Sequence, residues 1–99
     1  MARYDVFRNP DGRGFLLDVQ SDLLDGLNTR VVVPLMSLGS APKPAKRLNP
    51  QFELAGKPYV MVTQFISAVP LSILKTPEAN LSAQFSEITV AIDMLTQGF

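Results

Sequence analysis

Three carboxylates, Asp18, Asp22 and Asp25, and one arginine, Arg30, lie within a single short stretch of this chain. Clustered acids supply the oxygen ligands that a hard divalent cation takes, and an arginine beside Thr29 is the kind of group that stabilises a phosphoryl transition state. The plainer reading of the acids is favoured. Strand alternation turns Asp18 outward, and Asp22 and Asp25 are loop carboxylates that bond nearby backbone amides. Position alone gives Arg30 little weight. The chain has no cysteine and no histidine, so thiol chemistry and the commonest general base and metal ligand are absent, and few enzyme mechanisms survive. Between the acids runs SDLLDGLNT, residues 21–29, where Leu23 and Leu24 sit side by side. Adjacent strand residues face opposite ways, so both leucines reach one core only if the backbone bends. They are either core filling or a recognition patch.

The other candidate chemistry is thinner. NPDGRG at 9–14 has two glycines but no GxGxxG or GxxxxGK pattern, so it reads as a hairpin turn rather than a phosphate cradle. Lys43, Lys46, Arg47 and Lys57 gather around a proline-rich stretch. A solvated loop and a receptor for an acidic partner segment are equally good accounts of them.

The elements that must position these residues are short. Arg3–Phe7 alternates polar and apolar residues, NPDGRG turns the chain, and Gly14–Gln20 returns as a second strand. RVVVPL at 30–35 is a third, with Pro34 marking a strand edge or end. Residues 37–50 read as an extended surface loop, 51–64 as a hairpin turning at Gly56, and 66–74 as one or two short strands interrupted at Pro70. That makes five or six strands over 3–74. Phe85, Ile88, Ile92, Leu95 and Phe99 then fall at helical spacing, a stripe that Val90, Ala91 and Met94 widen, which predicts a helix over about 82–97 capped by Asn80 or Ser82. The expected fold is mainly β with one C-terminal α-helix: a strongly bent antiparallel sheet or open barrel with the helix packed on it.

Ninety-nine residues make one domain, 1–99. Apolar residues are 46% and charged residues 18%, enough for a modest core that a partner subunit would reinforce. Nine basic residues balance nine acidic ones, which disfavours direct nucleic-acid binding. No stretch approaches the roughly 20 apolar residues of a membrane span, and MARYDVFRNPDG lacks a signal-type apolar run. The chain reads as soluble and cytoplasmic.

Residues 16–35, LLDVQSDLLDGLNTRVVVPL, closely resemble the corresponding stretch of CcdB toxins, and the resemblance continues in YDVF at 4–7, SAVPLSIL at 67–74 and the terminal AIDMLTQGF. Residues 36–57 match poorly. The resemblance implies an SH3-like open barrel of antiparallel strands, CcdB/MazF-like, in a homodimer with no cofactor, metal or enzymatic activity. It implies a proteinaceous toxin of a type II toxin–antitoxin system that binds the A subunit of DNA gyrase and traps the gyrase–DNA cleavage complex. A CcdA-like antitoxin would neutralise it by folding a disordered tail onto it. The implied gyrase-binding residues are Tyr4, Ser21, Leu23, Leu24, Asp93, Gln97, Gly98 and Phe99. The resemblance departs at Gln97, where a well-known member has tryptophan, and at Asp93, where the family has asparagine. Two alternatives share the fold or the partner: a MazF-type endoribonuclease, whose early arginine, glycine and aspartate signature is absent here, and a nontoxic module that only binds an antitoxin.

Overall fold

The computed structural model describes residues 2–98. Seven strands form one antiparallel sheet: β1 (Asp5–Arg8), β2 (Phe15–Asp18), β3 (Thr29–Ser37), β4 (Gln51–Leu54), β5 (Lys57–Met61), β6 (Ser67–Pro70) and β7 (Pro77–Asn80). Their order is β4-β5-β3-β2-β1-β7, with β6 also pairing β3. A helix, α1 (Phe85–Gln97), closes the chain, and the sheet curls around the core beneath it as a half-barrel. The expected mainly β architecture with one C-terminal helix is what is found.

Turn chemistry sets the first hairpin. The Asn9 side chain accepts the Asp11 N–H, the Asp11 carboxylate accepts the Arg13 N–H, and the Asn9 carbonyl accepts the Gly12 N–H. At Gly14 φ is +65° and an added Cβ would run into the Leu35 carbonyl, so this position requires glycine. The β4–β5 turn is made by Ala55 and Gly56, both at positive φ, the two-residue geometry that matches the twist of paired strands.

Three features differ from the sequence reading. Pro34 lies inside the nine-residue β3, not at its end. β3 pairs with β6 over 29–32 and with β5 over 35–37, so the missing proline N–H falls where the two partners part, and the Pro34 carbonyl there accepts the Val62 N–H. PEAN, at 77–80, forms β7, a strand absent from the 3–74 span. It has weak strand propensity but pairs with β1 at the sheet edge, where proline is tolerated, across a bulge between Val6 and Phe7. The helix buries Ile88 and Ala91, with Ile92 packed beside them, while Phe85 and Leu95 of the expected stripe are exposed. Neither Asn80 nor Ser82 caps α1: Asn80 Oδ1 accepts the N–H of Ser82, which opens a 3₁₀ turn at 82–84, and α1 starts at Phe85 after Gln84, an N-cap without a side-chain bond. No helix among the described residues is long and apolar enough to cross a membrane.

Two apolar clusters occupy the two faces of the sheet. The larger joins Val6, Leu17, Val33 and Leu35 to Ile88 and Ala91 of α1. The smaller, Phe7, Leu16, Val32 and Leu74, covers the opposite face. β2 is therefore buried along its whole length, and the residue after Leu16 on the same face, Asp18, goes inside with it.

Candidate functional site

Side chains two apart on a strand share a face, so Leu16, Asp18 and Gln20 line up on one side of β2 and its extension, with Arg30 and Val32 beside them on β3. The apolar half of that face is the smaller cluster. Its polar half, Asp18, Gln20 and Arg30, is wholly buried beneath residues 21–28. Arg30 Nε donates to Asp18 Oδ2 at 2.9 Å, and Nη2 lies 2.6 Å from the same oxygen in ionic contact but out of line for a hydrogen bond. Nη1 donates to Asp25 Oδ1 at 3.3 Å, and Nη2 lies 3.9 Å from Asp22 Oδ1. The three carboxylates thus converge on one guanidinium. Asp18 does not turn to solvent as alternation alone suggests, because the second face of the sheet is itself covered, and Arg30 is spoken for, with no exposed surface to offer a phosphate.

Burial pushes the Asp18 carboxyl above the usual carboxylate range, against the opposing pull of Arg30 and of the Gln20 N–H that it accepts. Gln20 holds the ends of the loop. Its Oε1 accepts the Val31 N–H, and its Nε2 donates to the carbonyls of Leu24 and Thr29 at 3.1 and 3.2 Å. Above this base, Ser21 Oγ accepts the Leu23 N–H and caps a 3₁₀ turn over Asp22–Leu24. Asp22 Oδ1 accepts the Arg3 N–H, and the Arg3 guanidinium lies 4.9 Å from the Tyr4 ring centroid. Tyr4 is half-buried at φ +74°, its N–H donated to the Asp18 carbonyl and its own carbonyl accepting the Leu81 N–H.

The outcome is an apolar knuckle fixed from below. Leu23 is 95% exposed, Leu24 49% and Leu27 48%. Leu23 and Leu24 therefore fill no core. A family model described as CcdB protein matches residues 3–98. The chain belongs to the CcdB family. It is a toxin of the CcdB type, from a toxin–antitoxin module.

The CcdB residues singled out in the sequence fall into two groups. Tyr4, Ser21, Leu23 and Leu24 share one neighbourhood, tied together through Arg3 and Asp22. The second is the end of α1, where Asp93 is half-buried and Gln97 and Gly98 are exposed. There Gly98, at φ +82°, closes the helix by donating its N–H to the Asp93 and Met94 carbonyls. Phe99 lies outside the described residues. No hydrogen bond or ion pair among the described residues joins the two groups. Lys43, Lys46, Arg47 and Lys57 are all exposed, and the end of their loop is fastened by Asn49, which donates to the Met61 carbonyl and Gln64 Oε1 and accepts the Ala45 N–H.

Sequence reasoning missed Gln20, Arg3 and the role of Arg30. The signal was present in part: one arginine opens a strand of β-branched residues, diagonal to the acid that ends the neighbouring strand.

Proposed function

We propose that this protein is a homodimeric toxin, without catalytic chemistry of its own, that binds the A subunit of DNA gyrase in the cytoplasm and traps the gyrase–DNA cleavage complex. A CcdA-like antitoxin neutralises it. The observation that carries this reading is Leu23, a large apolar side chain standing almost fully in solvent on a hydrogen-bonded knuckle, in a chain of the CcdB family. An isolated exposed leucine is ordinary. Three near-contiguous ones on a loop tied to buried charges make an exposed apolar patch of the kind that marks a protein-interaction surface. In the reading, Tyr4, Ser21, Leu23 and Leu24 from one group and Asp93, Gln97, Gly98 and Phe99 from the other contact gyrase together, with the second copy of the chain bringing the groups onto one surface.

The test is induced expression in a gyrase-sensitive host beside a Leu23→Glu, Leu24→Glu variant, with capture of gyrase A subunit by the purified proteins. Arrest and capture by the parent alone, with the variant folded, support the reading; neither effect from the parent refutes it. A second reading draws on Gln97. It offers no aromatic face for a cation–π contact worth about 0.5–2 kcal/mol, which favours a nontoxic module that only sequesters an antitoxin. Tight antitoxin binding without gyrase capture would select it. The ribonuclease alternative has no support of this kind, since Arg30 is buried in its ion pairs.

A further inference from the structure

The turn that carries Leu23 buries none of its own residues. A loop with no core contacts of its own belongs by default to the least stable part of a fold. Nevertheless its two carboxylates, each about two-thirds exposed, lean back onto the one guanidinium at the bottom of the sheet. Asp25 receives a direct hydrogen bond from Arg30 Nη1. Asp22 is shared between the Arg3 N–H and Arg30 Nη2, the buried nitrogen that has no hydrogen-bond partner of its own. Asp18 neutralises the arginine and fixes where its fork points. An arginine fork is suited to this because it is planar and rigid, with donors at set angles.

We propose that Arg30 is the positioning residue of the docking surface: from full burial on β3 it holds Asp22 and Asp25, so that Leu23 stands in one orientation before any partner arrives. The inference rests on the gyrase reading for its purpose, though not for its geometry. Preorganisation lowers the ordering cost paid on association and shows in the dissociation rate, where most affinity differences between related complexes lie.

The test leaves Arg30 and Asp18 in place and removes only the carboxylates that reach down to them: Asp25→Ala alone, and Asp22→Ala with Asp25→Ala. Amide hydrogen exchange is followed without any partner, and association and dissociation rates are measured on gyrase A subunit. The expected result is exchange about tenfold faster over residues 22–27 and unchanged in β2 and β3, a melting temperature close to the parent's, and dissociation about tenfold faster, equivalent to 1.4 kcal/mol. Unchanged exchange in the double variant overturns the inference, because the loop is then held by something else. Faster exchange throughout the sheet with a lowered melting temperature overturns it too, assigning the acids a merely structural role. A slower association rate with dissociation unaltered means charge steering rather than positioning. A parent that fails to bind gyrase refutes the gyrase reading, while the exchange experiment still decides whether Arg30 holds the loop.

Discussion

Leu23→Ala separates stability from recognition. In the free protein the side chain is 95% exposed, so truncating it removes almost no buried area, and surface changes of this kind stay within about 0.5 kcal/mol. In a complex that covers the residue, the three lost carbons contribute about 2 kcal/mol at roughly 0.8 kcal/mol per buried methylene group, with some area recovered by relaxation. That corresponds to about thirtyfold in affinity. The contrast is Leu35→Ala, at a fully buried position, where the cost is about 2–5 kcal/mol of folding stability. Thermal unfolding and a binding isotherm on gyrase A subunit, measured on both variants, give the comparison. The expected pattern is a native melting temperature with weakened binding for Leu23→Ala, and a depressed melting temperature for Leu35→Ala. A Leu23→Ala protein that binds as tightly as the parent would show that the exposed leucine lies outside the contact, and the docking account would fail.

Arg30→Met leaves Asp18 buried without its cation and should cost about 3–5 kcal/mol at neutral pH, read by urea unfolding. Because the Asp18 carboxyl is already pushed above its ordinary value by burial, its contribution to stability is full below about pH 4 and declines as pH rises through the raised value. Removing Arg30 raises that value further, so the deficit of the variant shrinks in acid; carboxyl-carbon titration by NMR should place Asp18 above the usual carboxylate range. Gly12→Ala, at φ +84° with open space around it, should cost about 1–2 kcal/mol. Gly14→Ala, which also meets the Leu35 carbonyl, should cost clearly more, and equal melting temperatures for the two would refute the contact. Asn49→Ala strips partners from the buried Met61 carbonyl and the Ala45 N–H, with an expected loss of about 1–3 kcal/mol and faster amide exchange over 41–49.

What the sequence made legible followed its periodicities. Alternation in β1, the NPDGRG turn that brings back β2, the β-branched run of β3, the Gly56 turn and the helical spacing around Ile88 each reflect a single local cause, and each element is found close to where that cause puts it. The misses share a different origin. Alternation predicts Asp18 in solvent because it assumes one covered face, whereas Phe7, Leu16, Val32 and Leu74 cover the second. Pro34 reads as a strand edge or end, and it lies inside β3 because the partner switch there is a tertiary event. PEAN pairs with β1 through backbone bonds that its side chains do not announce. At the candidate site, Leu23 and Leu24 stood out as anomalous apolar residues. The groups beneath them did not, since Gln20 looks like any polar residue until both of its carbonyl partners are known.

Gln20 grips main-chain oxygens, those of Leu24 and Thr29, and such a grip is blind to the side chains it carries. Positions 23, 24, 26 and 27 can therefore mutate without disturbing what secures them, and the scaffold does not have to be rediscovered each time they do. A lineage whose adversary alters its surface can follow by exchanging a few exposed residues, while selection on Asp18, Gln20 and Arg30 runs separately beneath. Variation among relatives should accordingly concentrate at those four positions and be scarce at the three below.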